Sequence, residues 1–305
     1  MSGEMMAAAT GGQWRGEMAS AVTGVVIDSR QLSVGDAFVA LRGVNHDGHR
    51  FAAAVDGRAA ALVGELSAAP AWSSLCSPQL LVDDSHQALI DLASCYRREC
   101  GVGCVIAVVG SQGKTTLRGM IAHLLAAHGR QVVQSAGNLN NLIGTPLSLL
   151  RIDAGCDDAV IECGISECGE MARLAAMVAP DVVVVPGLSL AHSAGLHDLA
   201  TIVREKGIML AVDGARSFVG EGVEQLLARY GVEPGGSLLT AEDPDAVQWS
   251  IAGSRVTLEV DGQRGELTLP YPAAHLAADM ALAATVVRSL YPPFSLSSIA
   301  AALAV

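Results

Sequence analysis

With 305 residues, a formal net charge of −12 and a pI near 5, the chain has room for two cored domains, and its acidity argues against general binding to nucleic acid or anionic membranes. Apolar residues make up 51% and aromatic residues only 4%, so the cores must be built from Ala, Val, Leu and Ile, which suits an α/β protein. Seven cysteines, an odd number at irregular spacings, exclude a disulfide framework, and Cys95, Cys100 and Cys104 lack the Cys-x-x-Cys or histidine spacing of a metal site.

The N-terminus carries no signal-peptide pattern, since the Met-Met-Ala-Ala-Ala run after Glu4 is interrupted by Gly11, Gly12, Arg15 and Glu17. No apolar run reaches the ~18 residues a membrane span needs, so a cytoplasmic location is expected. Residues 1–100 read as a small α/β domain. Strands are predicted over Val22–Ile27, Ala37–Leu41, Ala60–Val63 and Leu80–Val82, with helices over Phe51–Val55 and His86–Glu99. Between them lie two polar turns, Asp28-Ser29-Arg30 and Gly43-Val-Asn-His-Asp-Gly-His49, which suit solvated loops as well as ligand contact. Gly101 and Gly103 mark the boundary with a second domain, 101–305.

In that domain strands alternate with helices. Strands are predicted at Cys104–Val109, Gln131–Val133, Asp158–Cys163 and Asp181–Val185, and helices at Lys114–His128, Ser166–Val178 and Asp198–Val212. The alternation predicts a mostly parallel sheet covered by helices, with ligands gathering at the carboxyl ends of its strands. Residues 214–270 are less regular, apart from a hairpin of Val256–Val260 and Glu266–Leu269 across Asp261-Gly262. Two helices, Ala273–Leu290 and Leu296–Ala304, flank Pro292-Pro293.

The chemistry concentrates where the first of these strands meets its helix. Gly110-Ser-Gln-Gly-Lys-Thr-Thr116 places glycines, a lysine and two hydroxyls at a helix start, where unpaired N–H groups and the positive dipole end attract phosphate. Gly110, Ser111, Gln112, Gly113, Lys114, Thr115 and Thr116 are therefore the candidate ATP-binding loop, with Thr115 positioned for a magnesium ion. The full phosphate-loop spacing would need glycine at position 108, where valine stands. At other predicted strand ends lie Asn138, Asn140 and Asn141, candidate ligand contacts, and Glu162, a candidate metal acid. His192, just beyond Val185, would by itself suit a structural histidine better than a ligand.

Taken together, these stretches resemble the Mur ligases, above all the type that adds D-alanyl-D-alanine to a muramoyl tripeptide. The resemblance rests on Val26-Ile-Asp-Ser-Arg30, Val34–Leu41, Asn45-His-Asp-Gly-His49 and Val82-Asp-Asp84. Further on it rests on the Gly110–Thr116 loop, Gly137-Asn-Leu-Asn-Asn141 with Ile143-Gly-Thr-Pro146, and Ile161-Glu-Cys-Gly164 followed by Gly169-Glu170. It implies a reaction in which ATP phosphorylates a carboxylate of a UDP-sugar peptide and an amine then displaces the phosphate to form an amide. It implies a first domain that binds the UDP substrate through Ser29 and Arg30, an ATP-binding central domain, and a substrate-side loop at Asn138–Asn141. Lys114, Lys206 and His192 are the catalytic residues it implies, with Thr115, Glu162 and His192 serving Mg2+, and Lys206 as the lysine the family carbamylates.

There are departures from the family pattern. Gly187-Leu188 replaces Asn-Ile, Leu190 replaces an acid, and after His275 the two adenine-side asparagines are replaced by Leu276 and Asp279. A third domain, which closes on ATP in the family, is expected to be absent from these 305 residues and to be supplied by a longer chain or a separate protein. Two other readings stand beside ligation: a non-catalytic Mur-like binding module, and a diverged amide ligase of another pathway that relies on a partner subunit.

Overall fold

A computed structural model describes residues 1–190 and 198–304. Its internal packing divides the chain into two units, residues 1–100 with 146–151, and 101–145 with 152 onward.

The first unit comprises Gly3–Thr10 (α1), Gln13–Arg15 (β1), Gly24–Val26 (β2), Asp36–Val39 (β3), Ala52–Val55 (α2), Ala61–Glu65 (β4), Gln79–Val82 (β5) and Ser85–Glu99 (α3). The sheet runs β1-β5-β4-β3-β2, parallel throughout except that β1 is antiparallel to β5. Phe38, Leu62, Trp72 and Leu81 form much of its core. Gly64 has to be glycine there, because a Cβ would lie 2.3 Å from the Trp72 ring. The buried His49 accepts the Glu65 N–H on Nε2 at 2.9 Å, so Nδ1 carries the proton that faces Asp47 at 2.6 Å. The polar loop ending at His49 is thus fastened to β4 rather than left to solvent.

The sequence reading did not anticipate α1 and β1. An eight-residue helix opened by a Ser2 cap and closed by Gly11 at φ 65° offers little periodic signal. The start of α3 is set by Asp84, whose Oδ1 accepts the N–H groups of His86 and Gln87 at 2.8 and 3.0 Å. Asp84→Ala should cost about 1 kcal/mol of stability, read as a lowered urea midpoint at unchanged slope.

The second unit begins with Cys104–Val109 (β6), Lys114–Ala127 (α4) and Val132–Gln134 (β7); after Gly144–Leu149 (α5), which from Pro146 on belongs to the first unit, it continues with Asp158–Cys163 (β8), Glu170–Val178 (α6) and Val182–Val185 (β9). Leu199–Leu210 (α7), Arg216–Val219 (β10), Val223–Tyr230 (α8) and Leu238–Thr240 (β11) follow. Among the described residues these strands make a six-stranded parallel sheet, β11-β10-β9-β6-β8-β7. The chain leaves β6 toward β7 on one side and later crosses to β9 on the other. The carboxyl end of β6 is therefore a topological switch point, where open parallel sheets collect ligands. Gln248–Ala252 (β12), Arg255–Val260 (β13) and Gln263–Thr268 (β14) form an antiparallel meander. It shares a hydrophobic core with Ala274–Leu290 (α9), Leu296–Leu303 (α10) and α4.

The α/β class with a mostly parallel central sheet agrees with the sequence reading, and so does the hairpin, whose Asp261 and Gly262 take φ 51° and 71°. Four local expectations need correction. Residues 137–146 are not loop throughout, because the Asn141 side chain accepts the Ile143 and Gly144 N–H groups and starts α5. The helix expected from Ser166 begins at Glu170, since Gly169 at φ 86° and the Glu170 carboxylate, which accepts the Ser166 and Glu167 N–H groups, hold the preceding residues in a turn. Residues 214–252 carry β10, α8, β11 and β12, strands of three to five residues broken by glycines and too short to show a period. The helix expected over Phe51–Val55 is a tight 3-10 turn through Phe51 followed by the four residues of α2. No helix among the described residues is long and apolar enough to cross a membrane.

Candidate active site

Lys114, the first residue of α4, follows Gly113, which adopts φ 77° and caps the helix with no side chain. The N–H groups of the first turn are thus left to an incoming anion. The loop before it is rigidly held. Ser111 N donates to Gly187 O at 3.0 Å, Ser111 Oγ donates to Ser189 O at 2.8 Å and accepts from Ser189 N at 2.9 Å, and a Cβ on Gly110 would press on Pro186 at 3.2 Å.

Two ammonium groups converge on this loop. Lys114 Nζ donates to Gly110 O at 3.1 Å, and Lys206 Nζ, from α7, donates to the same oxygen at 2.6 Å. Burial, with the Lys114 charge adding to it, pushes the Lys206 amine down to about 8. Two cations on one carbonyl, at an uncapped helix start, form a focus of positive potential suited to a polyphosphate.

An acid stands beside it. Glu162, in β8 at the register of Val108, is 1% exposed, and its Oε2 accepts the Thr115 hydroxyl at 2.9 Å. Arg118 Nη1 reaches the same oxygen at 3.3 Å, and Asn140 Nδ2 donates to Oε1 at 2.8 Å. Ser135 Oγ accepts the Glu162 N–H at 3.0 Å, while Asn140 O accepts the Gly164 N–H at 2.7 Å. The asparagine loop is thereby sewn to the end of β8. Thr115 and Glu162 together offer hard oxygen donors that fit a magnesium ion retaining most of its waters.

Of the residues named from sequence, Gly110–Thr116, Asn140, Glu162 and Lys206 come together here. Asn141 instead caps α5, and the Asn138 carbonyl accepts the Asn140 N–H at 2.8 Å. Ser29 and Arg30 lie in the first unit, in a 3-10 turn begun by Asp28. The Arg30 guanidinium grips Asp28 through Nε and Nη2, at 2.9 and 2.7 Å, and holds that carboxyl down to about 2. His192 lies outside the described residues. The sequence reading missed Arg118, although it sits one turn beyond Lys114 and Thr115 and its side chain is 10% exposed. It also missed how close Asp279 comes to the loop, where a Cβ on Gly113 would stand 3.2 Å from Oδ2. A cavity of about 410 Å3 adjoins Asp279, lined also by Pro186, Leu239, Val247, Trp249 and Thr285.

Known proteins resemble the chain in sequence and in fold. Residues 108–215 match the Mur ligase middle domain, and residues 21–97 match the Mur ligase family catalytic domain. UDP-N-acetylmuramoyl-tripeptide–D-alanyl-D-alanine ligase of Escherichia coli (strain K12) is 35% identical over 234 residues, 76% of this chain and 46% of that relative. The structure of MurF from Acinetobacter baumannii superposes with a TM-score of 0.81 at 23% identity, over 99% of this chain and 67% of that one. The MurF ligase of Thermotoga maritima, solved in complex with ADP, gives 0.76 at 25% identity over 92% of this chain and 66% of its own. The chain spans a little under half the length of the curated relative from Escherichia coli.

Proposed function

We propose, on the premise that this chain belongs to the Mur ligase family and carries its first and middle domains, that it is the ATP-using part of an amide ligase of the peptidoglycan-precursor type. The observation that carries this reading is the convergence of Lys114 and Lys206 on Gly110 O beside the Thr115–Glu162 pair. ADP in the complex with the Thermotoga maritima relative supports the choice of nucleotide.

In this reading Gly110–Thr116 cradle the triphosphate and Lys114 follows the γ-phosphoryl group as it transfers, which is electrostatic positioning more than covalent chemistry. Thr115 and Glu162 would hold magnesium, which when bound would offset the charge of the phosphates. A carboxylate oxygen of the acceptor attacks γ-phosphorus and ADP leaves. An amine then attacks the acyl carbon, phosphate leaves with the former carboxylate oxygen, and the amide remains. By the name of the Escherichia coli relative, the acceptor is a UDP-muramoyl tripeptide and the amine D-alanyl-D-alanine. Ser29 and Arg30 are assigned to the uridine nucleotide, Asn138, Asn140 and Asn141 to the substrate side, and His192 to a further metal contact.

Lys206 is assigned to carbamylation: with its amine down to about 8, roughly a tenth of it is unprotonated at neutral pH, far more than of an ordinary lysine. Its lone pair can add to CO2, the N–C bond forming as a proton leaves nitrogen. The relatives' additional length is assigned the amine site and the shielding of the acyl phosphate from water, whether a counterpart lies on the same polypeptide or a separate one.

Calorimetric titration with ATP and Mg2+, with bicarbonate supplied and with or without UDP-muramoyl tripeptide, tests the reading when followed by a phosphate-release assay. Binding of both ligands with slow phosphate release is expected. Binding of the UDP substrate with no affinity for ATP would overturn it in favour of a non-catalytic module.

A further inference from the structure

Arg118 has no part in the reaction as set out above, yet it joins Glu162 to the asparagine loop. Its guanidinium is buried and touches both things the site must control: Nη1 donates to Glu162 Oε2 at 3.3 Å and to Gly137 O, at the head of the asparagine loop, at 3.0 Å. Among the described residues its Nε is buried with no partner. A salt bridge built for stability would be bidentate, short and fully hydrogen-bonded. This one is monodentate and long, and leaves a donor unused.

We propose that Arg118 is a positioning residue that serves as a placeholder cation for Glu162. It keeps the buried carboxylate aimed, ties it to the Gly137 carbonyl, and sets the site's affinity for a divalent cation by competing for Oε2. The inference rests on the reading of Thr115 and Glu162 as a magnesium site. A carboxylate 1% exposed with only the Thr115 hydroxyl and Asn140 amide as donors would carry a heavy desolvation cost. Arg118 offsets that cost while no metal is bound. Its single contact to Oε2 is one that an ion binding at about 2.1 Å can outcompete. Release of Oε2 leaves the Gly137 contact as the remaining anchor, so the guanidinium need not leave the site when metal enters.

The test is the factor by which Mg2+ strengthens binding of a non-hydrolysable ATP analogue relative to EDTA, measured on the full chain by calorimetry. In Arg118→Met, which keeps the apolar stem but removes the charge, the factor should rise about 5-fold, because the metal no longer displaces a cation. Arg118→Lys should restore the parental factor, and analogue binding in EDTA should stay within about 2-fold in both, as expected of partly screened charges. Arg118→Gln, which retains a donor for Gly137 O, gives the same reading if the methionine variant does not fold. An unchanged or reduced factor in the folded neutral variants overturns the proposal. Glu162→Gln separates the two levels: if the parent shows metal enhancement that this variant keeps, the magnesium assignment itself has failed, and the role of Arg118 with it.

Discussion

Lys114→Ala should weaken ATP binding by up to about 100-fold while leaving thermal unfolding within a degree or two of the parent. The binding loss follows from the site's electrostatics. A charge-assisted hydrogen bond to phosphate contributes roughly 1.5–3 kcal/mol, and 100-fold is about 2.7 kcal/mol. The small effect on folding follows from the side chain's surroundings: it is half-buried, and its ammonium has one described partner, Gly110 O, which Lys206 also serves. The same substitution should leave a second mark. Burial is the larger cause of the lowered Lys206 amine and the Lys114 charge the smaller, so removing that charge should raise the amine from about 8 while burial still holds it below the ordinary lysine value. The pH dependence of Lys206 acetylation, followed by mass spectrometry, reads this directly. Equal nucleotide affinity in variant and parent would remove the central claim of the functional reading. A Lys206 profile that does not move would show that the two ammonium groups do not interact.

How much of this site could be read from sequence depends on how far apart its parts lie in the chain. The β6–loop–α4 unit is contiguous, and its β-branched run, two glycines and Lys-Thr-Thr declare strand, turn and anion-binding helix without any tertiary knowledge. Glu162 was legible as the acid near the end of an apolar strand, though not its three side-chain partners. Lys206 was named from family resemblance; its place on Gly110 O, 96 residues away, depends on α7 packing beside the loop. Asn141 shows why amides mislead. A cap at a helix start and a ligand contact use the same carboxamide, and only the Ile143 and Gly144 N–H groups on its Oδ1 reveal the cap. The short strands β10–β12 were illegible for a different reason, since three to five residues hold too little periodicity to stand out from turns.

Asp279 is where the fold brings in a charge that the sequence reading had noted only as a departure, and a substitution there should stabilise the protein. The side chain sits on α9, 9% exposed, with its carboxylate against Gly113 of the phosphate loop. Burial pushes its carboxyl from 3.8 up to about 6, with His275 pulling weakly the other way. A group whose folded value lies above its unfolded one binds more protons in the folded state between the two values. Stability is therefore lost as pH rises from about 4 to about 6, and the deficit stays constant above that. The full displacement corresponds to roughly 3 kcal/mol, and the solvent that still reaches the site reduces this to about 2 kcal/mol. Asp279→Asn keeps the shape and removes the titration. Its unfolding midpoint should match the parent's near pH 4 and exceed it by several degrees at pH 8, where about 2 kcal/mol is worth roughly 4–8 °C in a unit of this size. ATP affinity should follow the same profile, rising at pH 8 and unchanged near pH 5, because an ionised carboxylate beside Gly113 opposes the incoming phosphates. A variant whose midpoint differs from the parent's by the same amount at every pH would show that Asp279 is not held protonated by burial. The acid would then have to be paired with a group other than His275.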